Sequence, residues 1–139
     1  MVDEGAMGRA LLHALPDGVM FADRDGLIRH WNAGCERIFG FTAEEVLGRS
    51  LDVIIPERLR ARHWSGYHHS LETGESRYGP GDMLSVPALT RDGRTISVEF
   101  TLAPVQGADG GQVGFVAVLR DVTARFAELK RLRAAGGAD

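Results

Sequence analysis

Three Asp-Gly pairs constrain this 139-residue chain more than any other feature: Asp25-Gly26, Asp92-Gly93 and Asp109-Gly110 each separate two short apolar runs. Asp-Gly at such a place is a strong hairpin signal, because a tight two-residue turn demands the backbone freedom of glycine. Strands joined this way are antiparallel, since a parallel pair needs a crossover of about a dozen residues or more. The runs lie at 19–22, 27–31, 84–90, 96–102 and 113–119, so five antiparallel strands are expected. The second strand and the third are separated by one long helical insertion. That order makes an α+β domain, with the inserted helices grouped on one face of the sheet.

Within the insertion, Asn32 is placed to cap a helix that ends at Phe39 and is closed by Gly40. Thr42-Ala43-Glu44-Glu45 is a capping-box pattern, and Val46-Leu47-Gly48 ends that helix within two turns. Ile54-Ile55-Pro56 leads into a longer helix over 57–73, with Gly74 as its stop and a turn-rich stretch over 78–83. Ahead of the hairpin, residues 1–8 read as a loose leader and 9–15 as a short helix ended by Pro16. After the last strand, Phe126, Leu129 and Leu132 form a narrow seam on a helix over 124–135, and 136–139 read as a tail.

Composition narrows the function. The 16 Lys and Arg against 19 Asp and Glu leave a formal charge of −3, which disfavours a nucleic-acid partner. The single Cys35 excludes a disulfide framework and a multi-cysteine zinc site, and fits a reducing compartment. Apolar runs of four or five residues are far short of the ~20 that span a bilayer, and Asp3 and Glu4 argue against a signal peptide. A soluble, cytoplasmic single domain with no membrane partner is expected.

Six marks in order then resemble a PAS domain (sensory box), the sensor module common in bacterial signalling proteins, over about residues 9–123. They are Leu15-Pro16-Asp17-Gly18, the Asp25-Gly26 turn, Trp31-Asn32-Ala33, Phe39-Gly40-Phe41 with Glu44-Glu45-Val46-Leu47-Gly48, Arg91-Asp92-Gly93, and Asp121-Val122-Thr123 at the exit. The resemblance implies a ligand-binding or protein-interaction fold without catalysis of its own. The flavin-binding branch carries an Asn-Cys-Arg-Phe-Leu-Gln type of stretch, whereas Cys35 stands in Gly34-Cys35-Glu36.

The helix over 57–73 carries a closer likeness. Ile55-Pro56-Glu57-Arg58-Leu59-Arg60-Ala61-Arg62-His63 resembles the heme-binding PAS domains of a rhizobial oxygen-sensing kinase and an enterobacterial oxygen-sensing phosphodiesterase. In those, the proximal histidine lies on this helix, so the resemblance implies heme b held through His63. Leu84 stands where they carry an arginine that holds oxygen, and Met83 lies close to the phosphodiesterase's sixth ligand, a methionine. The iron ligands implied are therefore His63 and Met83, in a site better suited to carbon monoxide, nitric oxide or redox state than to tight oxygen binding. Equally open is Met83 as a gap-filling apolar residue.

Helical spacing is consistent with this reading. At about 100° per residue, Leu59, His63, Tyr67, Ser70 and Leu71 share one broad face, and Gly66 joins its edge. His63 then points inward, and Gly66 and Ser70 are small enough to leave room for a flat macrocycle. Gly66 is notable because glycine inside a helix costs about 1 kcal/mol against alanine. Trp64 and His68 are expected on the other side. Ile96, Val98, Phe100 and Leu102 alternate on one strand face and form the apolar lid, with Phe115 and Val118 beside them. His13, His30, His68 and His69 are read as surface or structural residues.

An alternative from a different class is a PAS module without heme, which binds an organic small molecule or works as a dimerisation or protein-interaction domain. A histidine at this helical position can simply line the core. An enzyme finds no support, because no Ser-His-Asp set, metal-ligand cluster or phosphate-cradling loop is present; Asp52, Glu57 and Asp92 read as caps and turn residues. The seam at Phe126, Leu129 and Leu132 resembles the start of a linker to a kinase or other effector. Together with Leu11, Leu12 and Leu15 it is expected to make a homodimer face, the alternative being that both helices pack back on their own sheet.

Overall fold

The structure is a computed structural model and describes residues 3–13, 16–73 and 84–137. In chain order it has α1 (Glu4–His13), β1 (Gly18–Asp23), β2 (Ile28–Trp31), α2 (Ala33–Phe39), α3 (Ala43–Val46), a 3-10 turn (Leu51–Ile54), α4 (Glu57–Thr73), β3 (Leu84–Leu89), β4 (Thr95–Gln106), β5 (Gln112–Asp121) and α5 (Thr123–Gly137). The five strands form one antiparallel sheet in the order β2-β1-β5-β4-β3. The fold is α+β, with the helical insertion between β2 and β3, as the three Asp-Gly turns require.

Local chemistry explains each junction. In the first hairpin, Asp23 Oδ1 accepts from the backbone N–H of Asp25 and of Leu27, which closes the turn over Gly26. Asn32 caps α2 and does more than cap. Its Oδ1 accepts from Val19 N at 2.8 Å and Cys35 N at 3.0 Å, while its Nδ2 donates to the Asp17 carbonyl at 3.0 Å. One buried amide therefore ties α2 to the start of β1. The capping box of α3 is complete, with Thr42 and Glu45 each accepting from the other's backbone. Around these, Ile28, Cys35, Phe39, Val46 and Val98 are the most deeply buried side chains of one apolar core.

Four expectations need correction. Helix α1 begins at Glu4, well before residue 9, because Asp3 caps it by accepting from Gly5 N at 3.0 Å and Met7 N at 3.0 Å. Helix α5 continues through Gly136 and Gly137, beyond the expected end at residue 135. Leu102 is 41% exposed, because β4 extends past the region covered by helices, so the apolar lid stops at Phe100. Val118 pairs with Val19 and Thr101 in the sheet, one residue out of phase with the core-facing Ala117 and Leu119, and is 37% exposed on the opposite face. Leu15, Gly74 and the stretch 78–83, which includes Met83, lie outside the described residues.

Candidate ligand-sensing site

Helix α4 is anchored along one stripe. Arg60 donates through Nε to the Ile55 carbonyl at 3.0 Å and through Nη2 to the Asp52 carbonyl at 3.2 Å. The Trp64 indole donates through Nε1 to Asp52 Oδ1 at 2.7 Å. The Tyr67 hydroxyl donates to the Asp23 carbonyl, with the Ala22 carbonyl 3.2 Å away, and Leu71 is buried. Positions 60, 64, 67 and 71 follow the i, i+4, i+7, i+11 spacing of one face. Burial raises the Tyr67 phenol well above its ordinary range, and the charge of Asp23 adds to this.

The inward face is therefore rotated from the expected one. At about 100° per residue its centre lies between Trp64 and Tyr67, and His63 falls roughly 70° to one side. Trp64, expected on the outer side, instead packs against the core. Its ring covers Gly26, where an added Cβ would lie 2.1 Å from Cη2. Gly66 faces outward, exposed, with nothing near the place of a Cβ, so it does not make room inside. Ser70 is half-buried, and His68 is exposed.

His63 lies at the margin of this cluster, half-buried. Its ring centroid is 4.6 Å from that of Trp64, edge to face, and 5.7 Å from that of Tyr67. Its Nδ1 is buried and has no hydrogen-bond partner. Burial holds its pKa below the ordinary 6.5, opposed by the carboxylate of Asp52 and assisted by the proximity of His68. A neutral imidazole with an unsatisfied ring nitrogen is the chemical form in which histidine ligates a metal.

Across from α4, Phe115 on β5 is buried and meets Tyr67 edge-on at 5.3 Å, while Ile96 and Val98 on β4 are buried and Phe100 is half-buried. The space between α4 and the sheet thus holds the rings of Trp64, Tyr67 and Phe115. Tyr67 lies between His63 and Phe115, with ring centroids 5.7 and 5.3 Å away. Met83 lies outside the described residues, and of Leu84 only its place on β3, paired with Phe100, is described. Trp64 and Asp52 were missed as site residues. The stripe at 60, 64, 67 and 71 is present in the sequence, but helical spacing centred on Leu59, His63 and Leu71 puts Trp64 on the other side.

Among the described residues no three His, Cys, Asp or Glu side chains converge to hold a metal, and no helix is long and apolar enough to cross a membrane. Cys35 is fully buried, and burial pushes its thiol up to about 12, which makes it inert. Two surface clefts, sharing Arg37 and Ile38, are not lined by His63. The fold is thus an antiparallel sheet that packs one helix over an aromatic-lined interior.

The chain belongs to the PAS fold family, whose model matches residues 12–127. It is 30% identical over 115 residues to the sensor protein FixL of Bradyrhizobium diazoefficiens, covering 83% of this chain and 22% of that protein. It is 29% identical over 132 residues to the oxygen sensor protein DosP of Escherichia coli, covering 95% of this chain and 15% of that protein. The chain thus spans about a fifth of the length of these relatives. Among solved structures, the PAS domain of a Colwellia psychrerythraea protein superposes with a TM-score of 0.73 at 20% identity, over 88% of this chain and 99% of that one. An RNA-binding light-oxygen-voltage receptor reaches 0.71 at 23% identity, over 96% and 37%. At such identities these structures establish the fold alone. The chain is a PAS-type signal-sensing domain, a non-catalytic signalling module.

Proposed function

We propose that this domain binds heme b through His63 and senses a diatomic gas or the redox state of the iron. The observation that carries the reading is His63 itself, a neutral imidazole with a buried, unpartnered nitrogen on the helix matched by two gas- or signal-sensing relatives. His63 would hold the iron, Met83 is the candidate sixth ligand, and Ile96, Val98, Phe100 and Phe115 would supply the apolar wall. When bound, the heme supplies a reducible iron and a coordination position for gas. The residues of this chain keep the imidazole neutral and exclude water. Leu84, in the place of a hydrogen-bonding arginine, favours carbon monoxide, nitric oxide or redox sensing over stable oxygen binding.

Purified protein titrated with hemin tests this. A sharp Soret band that is lost or displaced in His63→Ala supports the assignment, and an unchanged spectrum in that variant refutes it. Met83→Ala converts a six-coordinate ferrous spectrum to a five-coordinate one if Met83 ligates.

The interior filled by Trp64, Tyr67 and Phe115 favours a second reading, a PAS module that holds an organic molecule or none and works by association. Its surface is the pair of terminal helices, where Leu11, Leu129 and Leu132 are 50%, 47% and 53% exposed. A homodimer through these helices, passing its state to a kinase or other effector, is the partner arrangement we propose under either reading. Leu129→Lys with Leu132→Lys halves the mass measured by light scattering if this face pairs.

A further inference from the structure

The ring cluster beneath α4 raises a problem for any flat ligand placed beside His63, because Trp64 already fills the space over Gly26. We propose that Trp64 is a displaceable plug of the ligand site and that Asp52 is the residue that holds it shut, which rests on the heme reading for its probe. Four observations meet here. The indole lies on Gly26, the one buried turn residue without a Cβ to keep it away. Its N–H is fixed by a 2.7 Å bond to the Asp52 carboxylate on the 3-10 turn. Its ring and that of His63 meet edge to face with centroids 4.6 Å apart, and on the stripe it shares with Arg60, Tyr67 and Leu71 His63 stands aside from the inward direction. Of all α4 residues only Leu71 is buried, so the helix is held by polar contacts and rings more than by deep apolar packing.

A helix fixed in this way has a second arrangement close at hand. A roll of α4 by roughly the 70° that separates His63 from the centre of the inward face breaks the indole bond to Asp52 and, with it, the Arg60 and Tyr67 bonds to backbone carbonyls on the same stripe, so loosening the indole lowers the cost of that roll. The indole then leaves Gly26 and the imidazole takes its place toward the sheet. Asp52 acts on ligand binding through Trp64 and is a positioning residue.

The test compares hemin association, followed by Soret absorbance in stopped flow. Wild type, Asp52→Ala, Asp52→Asn, Trp64→Phe and His63→Ala are measured side by side. Trp64→Phe keeps a ring over Gly26 but lacks the indole N–H that Asp52 holds, so it is expected to bind faster than wild type as Asp52→Ala does. Asp52→Ala removes the acceptor and binds hemin about tenfold faster, equivalent to ~1.4 kcal/mol. Asp52→Asn keeps a side-chain oxygen for the indole and stays near the wild-type rate. Merely structural damage at Asp52 slows or weakens binding in both variants instead. Equal rates in wild type and Asp52→Ala, or in wild type and Trp64→Phe, overturn the plug. The heme reading fails separately, when His63→Ala leaves the wild-type spectrum intact. If neither wild type nor Asp52→Ala takes up hemin, both ideas fall.

Discussion

Gly26 offers a test of the site's architecture that needs no ligand. The residue adopts φ +74°, a left-handed conformation, and its backbone is held on both sides: its N–H donates to the Asp23 carbonyl at 2.9 Å and its carbonyl accepts from Leu51 N at 3.0 Å. Alanine here meets two separate penalties. The left-handed backbone costs about 1 kcal/mol for any residue with a Cβ. The second is steric, because the new methyl would sit 2.1 and 2.2 Å from two carbons of the Trp64 ring. With the backbone pinned, the indole must move. It then loses its packing and its bond to Asp52, about 2 kcal/mol for a half-buried ring.

Gly26→Ala is therefore expected to cost about 3 kcal/mol, while Gly48→Ala, at φ +85° with nothing within 4 Å of its Cβ, costs only about 1 kcal/mol. Trp64→Ala alone loses about 2 kcal/mol. In the double variant Gly26→Ala/Trp64→Ala the clash has nothing to displace, so the total stays near 3 kcal/mol and the two changes couple by about 2 kcal/mol. Urea unfolding followed by circular dichroism measures all four. Equal losses in Gly26→Ala and Gly48→Ala, or strict additivity with Trp64→Ala, would refute the placement of the indole over the first hairpin.

Other consequences are simpler to measure. Asn32→Ala removes three hydrogen bonds made by one buried amide and is expected to destabilise the domain by about 3 kcal/mol, whereas an exposed cap costs nearer 1 kcal/mol; a loss below 1 kcal/mol in urea unfolding speaks against the link from α2 to β1. Burial lowers the pKa of both His63 and His30 from the ordinary 6.5, so the unfolded chain binds protons more readily than the folded one. Stability is therefore present above pH 6.5 and declines as pH falls below it, and His63→Gln flattens the slope between pH 7 and 5 in urea titrations. The Cys35 thiol, raised to about 12, leaves native protein unreactive to a thiol reagent at pH 8 and reacts fully in urea; rapid labelling of the native state contradicts its burial.

The fold was legible because its signals are local and repeated. Three Asp-Gly turns, the Asn32 cap and the Thr42–Glu45 box are each decided within four or five residues, and each lies where the structure has it. The rotation of α4 was not legible. Hydrophobic counting weighs Leu59 and Leu71 and treats Arg60 and Trp64 as polar or ambiguous, yet Arg60 and Trp64 face inward because the carbonyls and carboxylate of 52–55 are there to receive them. Those acceptors come from a 3-10 turn with no sequence periodicity to announce it. Leu102 and Val118 failed for different reasons: alternation correctly assigns Leu102 its face but not how far along that face the helices reach, while Val118 was placed on the wrong face altogether.

These two classes of contact divide the domain physically. The sheet with α2 and α3 is held by the deeply buried set Ile28, Cys35, Phe39 and Val46, and by the hydrogen-bonded Asn32, none of which belongs to the proposed ligand wall. Helix α4 rests on hydrogen bonds to 22–23, 52 and 55 that exchange readily for water, so it opens at lower free energy than the sheet. A sensor needs such an inequality, because a ligand shifts only an equilibrium whose two states differ by a few kcal/mol. The moving side is also connected. Tyr67 touches Phe115 on β5, and that strand runs directly to Asp121 and Thr123, where Thr123 Oγ1 accepts from Ser97 N at 2.9 Å and begins α5. A roll of α4 therefore changes the packing on the strand that carries the C-terminal helix. A double-mutant cycle between Tyr67→Phe and Thr123→Val, read out by hydrogen exchange in α5, measures that connection: a coupling above about 0.5 kcal/mol establishes it and additivity removes it.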